Sequence, residues 1–175
     1  MRLVKTLPFL LGLSAALGSV SAWALPTDRD QPIRVQADDA QLDDKQGIAT
    51  YKGDVIITQG SMMIKGSTVT ITRAPGGDID VVTSVGNLAY FEQQQSAEKP
   101  EKMQGYGKQI QYQAQKDLVI LTDQAKVING GNTTEGEKIV YNTKTQVASA
   151  GKGGSGISTP RPRIDMVIQP KKKAE

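Results

Sequence analysis

The chain has 175 residues, with 21 Lys and Arg against 18 Asp and Glu, and neither His nor Cys. Lacking both residue types, it has no Ser-His-Asp or Cys-His chemistry and none of the commonest zinc and copper ligands. No disulfide can add stability, so burial and strand pairing must supply it. No catalytic set is evident, and neither a metal site nor a cofactor is indicated.

The first residues have the order of a secretory signal peptide: Arg2 and Lys5, an apolar run from Leu7 to Val20, then the small-residue site Ala22-Trp23-Ala24. That run falls short of the ~20 residues of a membrane-spanning helix, so residues 1–24 are expected to be cleaved and the chain exported. Arg2 and Lys5 leave with the leader, so 19 of the 21 basic residues then face 18 acidic ones. A chain so nearly neutral has no general attraction to nucleic acid.

Residues 25–32 are polar and turn-rich, which predicts a flexible lead into a first strand, Ile33-Arg34-Val35-Gln36. From Ile33 to Ile168 short alternating runs are separated by Gly, Asn and Asp, and no stretch holds a 3.6-residue period. The pattern is all-β, and residues 33–170 are long enough for a single domain.

Segment 33–72 aligns without a gap on segment 103–142, at a constant offset of 70 residues. Ala49, Tyr51, Val55, Ile57, Gly60, Gly66, Val69 and Ile71 fall on Val119, Leu121, Ala125, Val127, Gly130, Gly136, Ile139 and Tyr141. Within each unit the odd-numbered apolar residues share the buried face, and Lys52, Thr58, Thr122 and Lys126 the other. Gly60 and Gly130 fall where turns need positive φ.

Between the units, Ala74-Pro75-Gly76-Gly77-Asp78 is a turn. Ile79 to Val85 and Leu88 to Phe91 are predicted strands with a bend at Gly86-Asn87, and Gln93 to Glu101 a charged loop. Val147 to Pro162, rich in Gly, Ser and Pro, is expected to be mobile; a last strand follows at Ile164 to Ile168. Residues 171–175 form a lysine-rich tail, read as a solvated terminus, with phosphate contact as its alternative.

Three motifs are weak. Gly151 to Gly156 has the G-x-G-x-x-G spacing, but Pro160 and Pro162 forbid the helix a dinucleotide would need. Asp38, Asp39, Asp43 and Asp44 lack the ligand order of a calcium loop and read as a solvated turn. Asn132-Thr133-Thr134 matches a glycosylation acceptor, and Asn129-Gly130 before it a tight turn. What remains is geometry: a sheet folded over on itself encloses an apolar interior, and layers that do not close leave a groove open to acyl chains.

The chain closely resembles the OstA-like family of periplasmic lipopolysaccharide-transport bridge proteins. The likeness rests on Gln31 to Asp38, on Tyr51-Lys52-Gly53-Asp54-Val55-Ile56-Ile57-Thr58-Gln59-Gly60 and on Gly136-Glu137-Lys138-Ile139-Val140-Tyr141, and it covers nearly all of 31–170. It implies an open, twisted antiparallel β-jelly roll whose interior receives the acyl chains of lipid A. It also implies head-to-tail stacking with itself and with the jelly rolls of inner-membrane LptC-like and outer-membrane LptD-like components. Carried over residue by residue, Ile33, Val35, Phe91, Tyr112 and Ala114 match positions lining the family's groove; strand parity adds Leu42, Val55, Ile57, Leu121 and Val127. Ile164, Met166 and Ile168 are the expected C-terminal stacking edge. Two other readings stay open: a partner-binding module of the same family that carries no lipid, and a secreted β-sandwich hydrolase, which would need a carboxylate pair in its cleft.

Overall fold

Period-two alternation through β-branched and aromatic residues produces long strands. The computed structural model, which describes residues 28–96, 99–151 and 163–170, places ten of them in one antiparallel sheet. They are β1 (Ile33–Gln36), β2 (Asp39–Asp43), β3 (Ile48–Gln59), β4 (Met62–Arg73), β5 (Ile79–Ser96), β6 (Lys99–Gln113), β7 (Leu118–Asn129), β8 (Asn132–Asn142), β9 (Val147–Gly151) and β10 (Asp165–Val167). Short 3-10 turns occupy Asp28–Asp30 and Ala114–Lys116. The leader, the lysine tail and nearly all of the Gly151–Gly156 motif lie outside the described residues.

The sheet runs β1-β3-β4-β5-β6-β7-β8-β10, with β2 also on β3 and β9 also on β8. Its edges are therefore the split pairs β1/β2 and β9/β10. The internal repeat is realised down to register. Each pairing of β3 with β4, from Ile48↔Thr72 to Gln59↔Met62, recurs 70 residues on between β7 and β8, from Leu118↔Asn142 to Asn129↔Asn132. Strand β6 does for β7 what β1 and β2 together do for β3.

One line of irregularity crosses the sheet. Register shifts fall between Lys52 and Val55, Lys65 and Thr68, Val85 and Ala89, Tyr106 and Gln109, and Thr122 and Ala125, in successive strand pairs. Bulges of this kind bend a strand and increase its twist. Glycine supports the bend where backbones crowd: a Cβ on Gly66 would collide with Ser84 Oγ and lie 2.8 Å from the Val85 carbonyl oxygen, and one on Gly107 would lie 3.0 Å from that of Thr122. The sheet thus folds over on itself. Leu121, in register with Ile110, packs instead over Gly105, where a Cβ would lie 2.7 Å from it. Phe91 and Tyr112, well apart in the ladder of β5 and β6, have ring centroids 6.2 Å apart.

Three sequence expectations are corrected. Gln93 to Glu101 is not a loop, because β5 runs to Ser96 and β6 starts at Lys99, so the strands project past the core. Ile79 to Val85 and Leu88 to Phe91 are not two strands but parts of the continuous β5, with the expected bend at Gly86-Asn87 inside it. Val147–Gly151 is a strand paired with β8, although the rest of the segment to Pro162 lies outside the described residues. The even-odd rule also needs amendment, since the bend shifts its phase: Met62 and Ile64 are buried before it in β4, and Val69 and Ile71 after it.

Candidate apolar groove

The interior is lined by both halves of the folded sheet. Val55, Ile57, Phe91, Tyr112, Ala114, Leu121 and Val127, all expected on the inner face, are buried in one cluster with Ile64, Val69, Met103, Ile110, Val119 and Ile139. Each aliphatic side chain so buried contributes about 1.5–3 kcal/mol relative to exposure. Val35 packs against the cluster half-buried from edge strand β1. Leu42 is in register with buried Ala49 but lies on edge strand β2 and is 58% exposed. Ile33, 38% exposed, stands at one end of the interior. Ile164, Met166 and Ile168 are exposed at the other edge, on and beside β10.

The interior has an open mouth, a cavity of about 480 Å³ beside Ile33. Ile33, Ile57, Met62, Ile79, Val82 and Ala114 make its apolar wall, joined by Tyr112, and Arg29, Asp30 and Asp78 its charged rim. Four of the predicted groove residues, Ile33, Ile57, Tyr112 and Ala114, meet here. Met62, Ile79 and Val82 were not anticipated. Met62 had a signal, for its repeat counterpart is the exposed, polar Asn132, and an apolar residue in one copy only marks an asymmetric site.

Residues 28–31 are not a loose lead, contrary to the sequence expectation; they are pinned across this mouth. The Asp28 carboxylate accepts hydrogen bonds from the Ser61 amide at 2.7 Å, the Ser61 hydroxyl at 2.8 Å and Gln93 Nε2 at 2.7 Å. Gln59 Nε2 donates to the carbonyls of Arg29 and Gln31 at 3.0 and 3.1 Å. Arg29 reaches the start of β7, where its Nη2 lies 2.7 Å from Asp117 Oδ1. Partial burial works against the Arg29 charge, but the Tyr112 hydroxyl and the Asp117 carboxylate outweigh it and raise the guanidinium pKa. Burial also pushes the Tyr112 hydroxyl up, against the pull of Arg29.

Away from the groove, on the solvent side, Tyr90 and Tyr106 pack at 5.1 Å and Lys65 lies over Tyr90. Glu92 accepts from the Tyr90 hydroxyl at 2.7 Å and from Lys102 Nζ at 2.6 Å. Among the described residues no group of three or more Asp or Glu is placed to hold a metal ion.

Comparison with known proteins gives consistent relatives. The chain is 60% identical over its full length to the whole of the lipopolysaccharide export system protein LptH of Pseudomonas aeruginosa. It is 35% identical to LptA of Escherichia coli K12, across 83% of this chain and 78% of that one, and 34% identical to LptA of Haemophilus influenzae, across 82% and 84%. Among solved structures, that of LptH, the LptA-homologous periplasmic component of the lipopolysaccharide transport device of P. aeruginosa, superposes with a TM-score of 0.77 at 55% identity. It covers 83% of this chain and all of its own, and the fold is the β-jelly roll expected from sequence. A family model for LptA and the LptD N-terminal domain matches residues 34–147. With that match over most of the chain and relatives of this identity, the chain belongs to the LptA/(LptD N-terminal domain) family of LPS transport proteins.

Proposed function

We propose that the chain is a periplasmic lipopolysaccharide carrier that holds the acyl chains of lipid A in the apolar interior of its folded sheet. The observation that carries this reading is the interior itself: an apolar lining from both sheet halves, opening at a mouth whose wall is apolar and whose rim is charged. Buried methylenes contribute ~0.8 kcal/mol each, so acyl chains can be held with little polar recognition. Ile33, Val35, Val55, Ile57, Phe91, Tyr112, Ala114, Leu121 and Val127 would contact them, with Leu42 at the edge.

Most of these side chains already pack against one another, so lipid enters by parting the two layers. The protein itself supplies no chemistry; it is a passive conduit and not an enzyme. Copies stack head to tail through the edges β1/β2 and β9/β10, and the same edges meet the jelly rolls of LptC-like and LptD-like partners, so that a bridge runs from inner to outer membrane. Unpaired edges are aggregation hazards unless they serve specific pairing, which supports this use.

A photo-crosslinking amino acid at Ile33 or Tyr112 tests the groove in cells, with the outward positions Lys52 and Lys126 as controls. Lipopolysaccharide adducts are expected at the first two only. Equal adducts at all four positions, or none anywhere, would refute the assignment.

A further inference from the structure

The interior is lined by side chains in mutual contact, yet its mouth beside Ile33 is crossed by a segment held largely by polar contacts. The turn Asp28–Asp30 is tied at one end to the β3–β4 turn and β5, through the bonds of Asp28 to Ser61 and Gln93. Its other ties are the Gln59 amide, which donates to the Arg29 and Gln31 carbonyls, and the ion pair from Arg29 to Asp117, which spans 88 residues of sequence. The Asp28 and Arg29 side-chain ties differ in kind. Asp28 sits in a part-buried set of three hydrogen bonds that no incoming anion would displace favourably. Arg29 and Asp117 keep 43% and 28% of their side-chain surface in water, and exposed pairs of this type are weak and exchangeable.

We propose that residues 28–31 form a strap across the groove and that Arg29 is its ionic latch. The phosphate of an acylated, phosphorylated amphiphile takes the guanidinium from Asp117 and so frees the mouth for the acyl chains. This rests on the lipid-carrier reading above and names the residue at which that ligand is first recognised.

The electrostatics favour exchange over simple docking. Arg29 is the cation on the cavity's rim, and its charged neighbours there are Asp30 and Asp78, while Asp117 holds the guanidinium itself. A phosphate cannot settle beside those carboxylates while Arg29 is neutralised by Asp117. Once Arg29 turns to the phosphate it forms a bidentate, charge-assisted contact, stronger than its single bond to one carboxylate oxygen. Asp117 is then left at the surface, where water solvates it. Asp28 and the Gln59 amide meanwhile keep the backbone of the strap attached, so its Arg29 side chain swings aside without the segment leaving.

The test measures association rates of the purified full-length mature protein with intact lipopolysaccharide and with the same lipid after removal of its phosphates. Asp117→Asn removes the latch but keeps the cation, and Arg29→Gln removes both. Asp117→Asn is expected to bind both lipids about two- to fivefold faster than the unaltered chain, the size of one exposed ion pair. It keeps the preference for the phosphorylated lipid. Arg29→Gln is expected to speed binding of the dephosphorylated lipid to the same degree and to bring the rate ratio of the two lipids towards one. Unchanged rates in Asp117→Asn would overturn the strap, even if Arg29→Gln slowed the intact lipid, because Arg29 would then be a static contact. If Arg29→Gln kept the preference for phosphate, the latch would be wrong in its chemistry. Failure of the unaltered protein to bind either lipid would instead sink the carrier reading itself.

Discussion

Glu92 shows how a single side chain on the outer face ties stability to pH. Burial alone would raise its carboxyl pKa, but the hydrogen bonds from Lys102 and Tyr90, with the charges of Lys102 and Lys65, hold it below its ordinary value of 4.5. A carboxyl depressed by folding stabilises the native state above the unfolded-state pKa, and that contribution fades as pH falls through the folded value. The protein is therefore expected to lose stability below about pH 4.5 through this site. Glu92→Gln should unfold at lower denaturant concentration at pH 7 and lose less of its remaining stability between pH 5 and pH 3 than the parent; parallel urea titrations at about these pH values measure the difference. In the core, Leu121→Ala removes a side chain that touches the opposite layer over Gly105. A loss of about 2–5 kcal/mol is expected by equilibrium unfolding.

At the scale of elements, the two copies of the repeat provide their own control. Gly60 and Gly130 occupy equivalent turns with φ of +58° and +55°, a region that costs a side-chain-bearing residue about 1–2 kcal/mol. Around Gly130 a Cβ meets nothing nearer than Glu101 Oε2 at 3.9 Å, whereas at Gly60 it would collide with the Asp28 carboxylate that anchors the strap. Gly130→Ala should thus show only the backbone cost. Gly60→Ala should cost at least about 1 kcal/mol more, because hydrogen bonds of Asp28 are lost as well. Thermal unfolding of the pair decides it, and equal losses would mean that the strap contributes nothing to stability.

The same elements explain what the sequence could and could not disclose. The repeat was legible because glycines and inward apolar residues recur at fixed spacing, and the structure returns that spacing as identical registers. The bend was legible only at Gly86-Asn87 in β5, since positions such as Gly53 and Gly66 read equally well as strand ends. Gln93 to Glu101 looked like a loop because the hairpin there extends beyond the core, so alternation of polarity disappears. Residues 28–31 looked loose for a similar reason: Asp, Arg and Gln beside a proline signal a turn, and nothing local records that Ser61, Gln93 and Asp117 wait to receive them. Of the groove, the inward faces were readable and the mouth was not, because the mouth is assembled from strand ends far apart in the chain.

For the whole molecule, the two edges of the sheet are unequal. Residues around β10 expose Ile164, Met166, Val167 and Ile168, and only three Cα pairings, to Thr133, Thr134 and Glu135, hold β10 to β8. If this edge carries head-to-tail stacking, trimming Ile164 to Ile168 should abolish concentration-dependent oligomers in light scattering while the monomer keeps its fold. Unchanged assembly would place the contact elsewhere. The split of both edges has a further effect. Among the described residues, β1 and β2 break opposite the bend at Gly53, and β9 and β10 leave the bend at Gly136 uncovered, so neither rim offers an unbroken template as long as β3 or β8. A straight foreign strand can gain only a few pairings before the rim turns away from it, whereas a strand with a matching kink can follow the turn and continue. The bend that encloses the interior would then also act as a filter on what may be added to the ends, admitting kinked strands and refusing the flat segments from which fibrils grow.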